Sequence, residues 1–479
     1  MAFLWSGLEQ VGRQAVRFVL SVLLARLLAP DDYGLMGVLL VFMLIAQVFV
    51  DSGLSSGLIQ RKEISTDDET SVFYVNVVAG ILFAGVLCAI APLVAAFYRQ
   101  PTLGPLLCVS SIGVTIGSFG IVQNALLTRA VDFRTQAKVT LGSTVLAGLV
   151  GLGMAWRGCG VWSLAGQGIA QSLANVLLVW KWSPWRPKGH FRWASVRLLW
   201  PFSSRLLASG LLNTTFENLY SLVIGKAYSP ADLGFYTRAS SLAMLPASSV
   251  TSMTGRVMFP VFSLVQDEKE SLKREFRRVV IAMAALYFPI MAGLASIAEP
   301  LVKCLLTGKW LPCVPYFQVI CFSGMLYPLH ALHLNVLMAQ GRSELFLRLE
   351  IIKKVLVVVA LVITVRMGVK AMVDSLLILS LVSLVLNSYY TRLLIHYGWG
   401  EQIRDLLPIV AASLGMASIV WSLGLLMPLN PWGLLGVQVV TGIGLYGGAA
   451  MLLRKHGYDA VWTIGKRVWG CWAVPEGCL

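Results

Sequence analysis

The chain has 479 residues, of which 57% are hydrophobic and only 13% are charged, and its formal net charge is +15. Soluble proteins carry about 25% charged residues, so this composition excludes an ordinary water-soluble protein and indicates a chain that lies mostly in lipid. The positive charge does not indicate nucleic-acid binding, because the basic residues follow a membrane-orientation pattern. The eight cysteines are scattered and form no CxxC or CxxH pair. They therefore predict neither a disulfide framework nor a zinc site.

Apolar runs along the chain predict about fourteen transmembrane helices, because roughly 20 apolar residues span the hydrocarbon of a bilayer as a helix. The first run, Trp5 to Leu28, ends at no small-residue cleavage site and is predicted to stay as a helix. The sequence thus predicts an all-α polytopic membrane protein. The spans are predicted near residues 5–28, 35–55, 72–97, 104–127, 139–156, 159–181, 198–224, 239–263, 279–303, 314–338, 350–366, 371–391, 406–428 and 432–453.

The basic residues predict which loops face the cytoplasm, since Lys and Arg are retained on that side. Most of the 38 Lys and Arg residues fall in alternate loops, most densely at 181–197 and 269–278. Both termini are therefore predicted to be cytoplasmic. The basic, aromatic segment 454–479 is predicted to be an amphipathic tail on the inner surface, although a frayed tail with aromatic anchors explains it equally well.

A short repeat returns at an offset of 200 residues, from Pro30-Asp31-Asp32-Tyr33-Gly34 to Pro230-Ala231-Asp232-Leu233-Gly234. Two independent turns would also use Pro, Asp and Gly. Each copy, however, ends a polar-striped helix and leads into another, as in transporters built from internal repeats. We therefore predict two six-helix lobes at 1–197 and 198–400, followed by two further helices within 401–453.

Charged and polar side chains inside the predicted spans are concentrated in the first, seventh and eighth. Each charge costs roughly 2.5–3.5 kcal/mol to insert, so such groups usually face a bundle interior or an aqueous cavity. A spacing of four residues places them on one face of a helix. The predicted polar set consists of Glu9, Arg13, Gln14 and Arg17 in the first span, Arg205, Asn213 and Glu217 in the seventh, and Arg256 in the eighth.

The functional interpretation of this set is a water-filled cavity in which its four arginines receive an anionic head group. The guanidinium group suits this role because it donates paired hydrogen bonds to phosphate and keeps its charge. The glutamates, Gln14 and Asn213 are then polar or ion-pair partners in the cavity. The alternative is internal pairing, of Glu9 with Arg13 and of Glu217 with an arginine on a facing helix, which would only hold the bundle together.

No catalytic residue, metal site or cofactor is predicted. His330 and His333 stand one helical turn apart, but no third ligand is evident, so polar contacts are preferred to metal binding. The chain has no P-loop, nucleophile elbow or paired-carboxylate site, and ATP hydrolysis by this chain is not expected. Asp51 lies near a predicted helix end, where contact with head-group water is the simpler explanation.

Five stretches of the sequence are together typical of one family: 24–34, 51–62, 221–236, 256–260 (Arg-Val-Met-Phe-Pro) and 308–312 (Gly-Lys-Trp-Leu-Pro). With them the chain resembles the polysaccharide-transport branch of the multidrug/oligosaccharidyl-lipid/polysaccharide flippase superfamily, and within it the Wzx-type exporters for lipopolysaccharide, colanic acid or teichuronic acid. The resemblance spans roughly residues 1–400.

The resemblance implies two six-helix lobes in a V that open alternately to the two sides of the bacterial cytoplasmic membrane. It implies movement of an undecaprenyl-diphosphate-linked oligosaccharide to the outer leaflet, through a cationic lumen with a lateral opening near the first and eighth helices. The implied partners are this lipid-linked oligosaccharide, membrane lipids, a polysaccharide polymerase and a chain-length regulator, with no nucleic acid.

Two other functions compete with this one. A multidrug or cation antiporter of the same fold would favour an acidic, aromatic cavity, whereas the deep charges here are mostly arginine. A membrane glycosyltransferase or polymerase would need a sizeable outward loop bearing catalytic acids or bases, and the predicted outward loops are short.

Overall fold

The computed structural model describes residues 2–264 and 268–455, and within these residues it contains helices and no strands. The chain folds as two compact units that divide between Gly234 and Phe235. The first unit contains α1 (Ala2–Leu27), α2 (Pro30–Asp51), α3 (Leu54–Gln60), α4 (Thr66–Tyr98), α5 (Leu103–Ser118), α6 (Ile121–Arg129), α7 (Phe133–Trp156), α8 (Trp162–Trp182), α9 (Trp193–Glu217) and α10 (Leu219–Ala227).

The helix α11 (Pro230–Leu264) begins at the end of the first unit and continues into the second. The second unit also contains α12 (Lys269–Ser296), α13 (Ala298–Leu306), a short 3₁₀ helix (Gly308–Cys313), α14 (Val314–Met325), α15 (Tyr327–Ala339), α16 (Ser343–Thr364), α17 (Val369–Ile395), α18 (Trp399–Leu426) and α19 (Pro431–Lys455).

Each predicted span overlaps one helix or two successive helices, so the prediction of a polytopic helical membrane protein is confirmed. Several spans are broken in two, and α5 and α6 meet at a bend of 43°. By length and apolar composition, eight helical segments of the described residues qualify as membrane spans, or nine with this bent pair. The count of fourteen and the cytoplasmic position of both termini stay predictions. Residues 456–479 of the predicted tail lie outside the described part of the chain.

The repeated Pro-x-Asp sequence begins two equivalent helices. Pro30 and Pro230 are the first residues of α2 and α11, where a missing N–H is harmless and the fixed φ suits a helix. Asp32 accepts a hydrogen bond from the backbone N–H of Ala29 at 2.9 Å, and Asp232 accepts the same bond from Ser229 at 3.3 Å. Both carboxylates therefore cap a helix N-terminus and lie at its positive end.

The two glycines of the repeat let these helix N-termini touch within the first unit. An alanine Cβ at Gly34 would lie 1.7 Å from the carbonyl oxygen of Pro230, and one at Gly234 would lie 2.0 Å from that of Pro30. The contact is thus reciprocal, backbone against backbone. The repeat predicted from the sequence therefore has a physical counterpart in a symmetric crossing of α2 and α11.

The core of the first unit is aromatic where α4 meets α5, α8 and the segment after α8. The ring of Phe73 lies 6.1 Å from Phe119, 6.1 Å from Trp180 and 5.7 Å from Trp185, measured between centroids. In this unit α9 also packs on α2 and α4. Packing therefore assigns α9 and α10 to the first unit, and the lobes expected from the repeat, at 1–197 and 198–400, stay a prediction.

The core of the second unit surrounds α12. Its Phe276 is fully buried, and the ring centroids of Phe262, His333 and Tyr397 lie 5.9, 5.1 and 5.8 Å away. The last two helices belong to this unit, since α18 packs along α12 and α19 packs on α18 and α13.

Candidate functional site

A cleft of about 610 Å³, lined by both apolar and polar residues, opens within the first unit, between the end of α2, the short helices α3 and α6, and the middle of α9. Its volume lies within the ~300–1,000 Å³ typical of small-molecule sites. The lining residues are Leu44, Gln47, Val48, Asp51, Gly53, Ser55, Ser56, Ile59, Ile121, Asn124, Ala125, Thr128, Leu206, Leu207, Gly210 and Thr214.

A helix break creates one wall of the cleft. Ser52 and Gly53 have φ values of 49° and 68°, so the chain leaves α2 in the left-handed region and restarts as α3. At Gly53 the backbone also approaches α9, where an added Cβ would lie 2.8 Å from the carbonyl oxygen of Ser203. The Ser203 hydroxyl donates to the Gly53 carbonyl at 3.2 Å. Glycine is required here by both its φ value and the close packing.

Hydrogen bonds orient several polar side chains of the cleft. The Ser55 hydroxyl donates to Oδ1 of Asp51 one turn earlier. On the opposite wall, Nδ2 of Asn124 donates to the Gly120 carbonyl at 2.9 Å and to Oδ1 of Asn175 at 3.2 Å. These bonds leave the second oxygen of Asp51 and Oδ1 of Asn124 as acceptors, because a carboxylate has two oxygens and an amide one.

A guanidinium group links the two short helices that flank the cleft, α3 and α6. Arg129, the last residue of α6, donates to the carbonyl oxygens of Leu58 and Arg61 and, at 2.8 Å, to that of Lys62. These carbonyls lie in the last turn of α3 or just after it, where carbonyl groups have no partner within the helix. Arg129 therefore ties α3 to α6 and holds both walls in place.

The polar stripe predicted on the seventh span is present on α9. Arg205, Ser209, Asn213 and Glu217 are all exposed and follow one another at four-residue intervals. The cleft is lined by the neighbouring strip of the same helix, which includes Leu206, Gly210 and Thr214. The predicted stripe and the cleft thus occupy adjacent faces of α9, about 100° apart around its axis.

Two other predicted residues are described on α1. Gln14 is half-buried and Arg17 is exposed. The side chains of Glu9, Arg13 and Arg256 lie outside the described part of the structure. The assignment of the four arginines to one cavity therefore stays a prediction.

The sequence reasoning missed the cleft residues. Asp51 was expected to reach head-group water, but its half-buried side chain lines the cleft. Gln47 and Asn124 were not singled out, because each is one neutral polar residue in a long apolar run. The available signal was the sequence Asp51-Ser52-Gly53, which breaks an apolar span with residues that favour turns.

The second unit contains a buried hydrogen-bond network around the two predicted histidines. His330 contacts Ser380 at 3.1 Å and Asn387 at 3.3 Å. His333, which is fully buried, contacts the Thr391 hydroxyl at 2.8 Å and that of Ser388 at 3.4 Å. Among the described residues no group of three or more His, Cys, Asp or Glu side chains is placed to hold a metal ion. The polar contacts expected for these histidines are present.

An ion pair anchors α18 to α12 near this network. Arg277 donates two hydrogen bonds of 2.6 Å to the Asp405 carboxylate, which also accepts the Tyr397 hydroxyl at 2.8 Å. Asp405 is 5% exposed and Arg277 52% exposed, so the carboxylate is buried while the guanidinium reaches the surface. Burial raises the pKa of Tyr397, in the loop before α18, above its ordinary value.

Comparison with known proteins connects this sequence to polysaccharide biosynthesis. The sequence profile of a family described as polysaccharide biosynthesis protein matches residues 23–315, which is more than half of the chain. The lipopolysaccharide biosynthesis protein WzxC of Escherichia coli strain K12 is 28% identical over 370 residues, which cover 75% of this chain and 73% of that protein.

Solved structures share the fold. The lipid II flippase MurJ in its inward closed conformation superposes with a TM-score of 0.77 at 13% identity, covering 95% of this chain and 99% of MurJ. An inward-facing multidrug resistance transporter of the MATE family and MOP superfamily gives a TM-score of 0.62 at 14% identity, covering 80% of this chain and 94% of the transporter. Because the match with MurJ covers 95% of the chain, the shared fold extends beyond residue 400 into α18 and α19.

Proposed function

The chain belongs to the polysaccharide biosynthesis protein family, within the polysaccharide-exporter branch of the multidrug/oligosaccharidyl-lipid/polysaccharide superfamily, and we propose that it is a lipid-linked oligosaccharide flippase. It moves undecaprenyl-diphosphate-linked repeat units across the bacterial cytoplasmic membrane by alternating access, without a catalytic step or a cofactor. The observation that carries the proposal is the family match over residues 23–315. The similarity to WzxC supports it, and the fold shared with a lipid flippase over nearly the whole chain is consistent with it.

The proposed diphosphate-binding groups are Arg13, Arg17, Arg205 and Arg256. Support comes from α9, where Arg205 is exposed at one end of a row that continues through Ser209 and Asn213. A charged group within a membrane-spanning helix is costly and is usually kept for function. Guanidinium groups that never lose their charge suit a diphosphate, which carries negative charge at all physiological pH values.

The rival antiporter function receives less support. The superposition with the MATE transporter includes a smaller share of this chain, and has a lower TM-score, than the superposition with the lipid flippase. Both similarities concern only the fold. Among the described residues that line the cleft, Asp51 is the one acidic residue and none is aromatic. A cavity for cationic drugs would be expected to contain several acidic and aromatic residues.

A polysaccharide polymerase and a chain-length regulator are the proposed protein partners.

Arginine variants test this function in the host bacterium. We expect Arg17→Ala, Arg205→Ala and Arg256→Ala each to reduce surface polysaccharide by roughly 10- to 100-fold, since a hydrogen bond to a charged group contributes about 1.5–3 kcal/mol. The lipid-linked precursor should accumulate on the cytoplasmic side. Surface polysaccharide is quantified by immunoblot of extracted glycan, and protein insertion by immunoblot of membranes.

The matched control is Arg157→Ala, because Arg157 is an exposed arginine in the turn after α7 and outside the proposed cavity. It should leave export unchanged. Wild-type polysaccharide levels in all three cavity variants would refute the assignment of the arginines. If host cells that lack this protein export polysaccharide normally but lose resistance to cationic drugs, the antiporter function would be favoured.

A further inference from the structure

The cleft of the first unit differs chemically from a diphosphate site. Among the described residues that line it, none is a lysine or arginine, and Asp51 carries the one formal charge, which is negative. A carboxylate repels a diphosphate, and the other polar groups are neutral amides and hydroxyls. These groups include Gln47, Ser56, Asn124 and Thr214, which lie on the four helices α2, α3, α6 and α9.

Neutral amides, hydroxyls and one carboxylate are suited to a ligand rich in hydroxyl groups. Each sugar hydroxyl is both a donor and an acceptor. The second oxygen of Asp51 and Oδ1 of Asn124 accept such donors, while the Gln47 amide and the Thr214 hydroxyl can either donate or accept. A site that matches hydroxyl groups discriminates strongly against ligands that lack them, because its polar groups would then be left unpaired.

Hydrogen bonds orient Asp51, Asn124 and Thr128 of the cleft before a ligand arrives. Asp51 is oriented by Ser55, and Asn124 by the Gly120 carbonyl and by Asn175 of α8. Thr128 is held between α6 and α7, since it accepts from Nε2 of Gln136 at 2.7 Å and donates to the Asn124 carbonyl at 2.9 Å. Preorganisation of this kind reduces the entropy lost on binding.

The position of the cleft along the chain also fits a head-group site. Its walls α3 and α6 lead into the loop that contains Arg61 and Lys62 and into the first turn of α7 with Arg134, and the basic-residue pattern predicts these residues to be cytoplasmic. In that orientation the cleft lies in the half of the first unit where a lipid-linked sugar made inside the cell would enter. Short helices at breaks in membrane spans are also where transporters bind substrates.

We propose that this cleft binds the sugar residues of the lipid-linked oligosaccharide through their hydroxyl groups, separately from the arginines that bind the diphosphate. The proposal rests on the proposed flippase function and names the part of the substrate that this site recognises. The Asp51 and Asn124 oxygens accept hydrogen bonds from the sugar, and Gln47 and Thr214 complete the contacts.

Two lipid probes test the proposal on the purified full-length protein in nanodiscs. One is undecaprenyl diphosphate, and the other is the lipid-linked oligosaccharide extracted from host cells that lack this protein. The test variants are Gln47→Leu and Thr214→Val, which remove polar groups with little change in shape. The control is Thr215→Val, the same change at the next residue of α9, which is half-buried and does not line the cleft.

We expect the wild-type protein to bind the oligosaccharide lipid more tightly than undecaprenyl diphosphate. Each test variant should weaken binding of the oligosaccharide lipid about fivefold, the equivalent of one hydrogen bond of ~1 kcal/mol, and should leave binding of undecaprenyl diphosphate unchanged. The control should match the wild type for both lipids. Size-exclusion profiles identical to that of the wild type establish that the variants are folded.

Two results would refute the proposal that the cleft binds sugar residues without refuting the flippase function. One is equal wild-type affinity for the two lipids, and the other is an equal loss of both affinities in the variants. A wild-type protein that binds neither lipid would instead refute the flippase function, and the sugar site with it. The two failures are distinguishable because undecaprenyl diphosphate reports the diphosphate site alone.

Discussion

Replacing Gly34 with alanine should destabilise the first unit, because the new methyl group has no room. Its Cβ would lie 1.7 Å from the Pro230 carbonyl oxygen, and the nearby Pro230 carbonyl carbon and Cα lie only 2.5 and 2.9 Å away. All three atoms belong to the backbone, so no side chain can rotate out of the way. The helices α2 and α11 must separate by more than an ångström to reach ordinary contact.

Overpacking of this kind costs about 1–3 kcal/mol in well-packed proteins, and a backbone clash belongs at the upper end. For a unit of this size ~3 kcal/mol corresponds to a fall in Tm of roughly 6–12 °C. The assay is thermal unfolding of the purified protein in detergent, followed by tryptophan fluorescence. Gly234→Ala should give a similar fall, because its Cβ would lie 2.0 Å from the Pro30 carbonyl oxygen.

The matched control is Gly153→Ala, since Gly153 lies within α7 and an added Cβ there would meet no atom within 4 Å. Alanine is the better helix former, so this variant should hold or raise the Tm. If Gly34→Ala and Gly234→Ala unfold at the same temperature as Gly153→Ala, the reciprocal crossing of the two repeat copies is wrong.

Two further predictions concern the anchor between α12 and α18. In chemical denaturation, Arg277→Met should lower the free energy of unfolding by about 1–3 kcal/mol, which is less than for a fully buried pair because Arg277 is half-exposed. Adding Asp405→Asn to this variant should restore part of the loss, since it removes the unpaired carboxylate. Additive losses in the double variant would contradict the pairing. Because burial raises the pKa of Tyr397, the protonated phenol stabilises the fold fully below its ordinary pKa of about 10, and this contribution falls as the pH rises above it. Tyr397→Phe should therefore flatten the decline in Tm between about pH 10 and pH 11, and an unchanged decline would show that folding does not raise the pKa of Tyr397.

The helical membrane fold could be predicted from the sequence because span length and apolar composition are properties of single segments. The predicted span 139–156 lies inside α7, and 371–391 lies inside α17. The repeat could also be predicted, since Pro, Asp and Gly each have a backbone role at a helix N-terminus. The reciprocal glycine contact could not be predicted, because it depends on the distance between helices that are far apart in sequence.

The candidate site was predictable only where it follows one helix. The four-residue spacing of Arg205, Ser209, Asn213 and Glu217 predicts one shared helix face, and all four side chains are exposed on α9, while their role in a cavity stays a prediction. The cleft draws single residues from several helices, and no period in the sequence connects Asp51 with Asn124. The breaks at Ser52 and after Ser118 were also missed, because each predicted span was set by the length of its mostly apolar run, and hydropathy does not register a change of backbone direction.

Reconstitution into liposomes tests the flippase function most directly. The purified protein is placed in vesicles that contain the lipid-linked oligosaccharide from host cells lacking it, and periodate, which does not cross the membrane, is added outside to oxidise sugar diols. Without protein, the inner-leaflet half of the glycolipid stays protected. We predict that the protein exposes this protected fraction in the absence of ATP, and that Arg205→Ala slows the exposure while Arg157→Ala does not. A protected fraction that stays at the protein-free level, with folded protein in the vesicles, would contradict the function proposed for this chain.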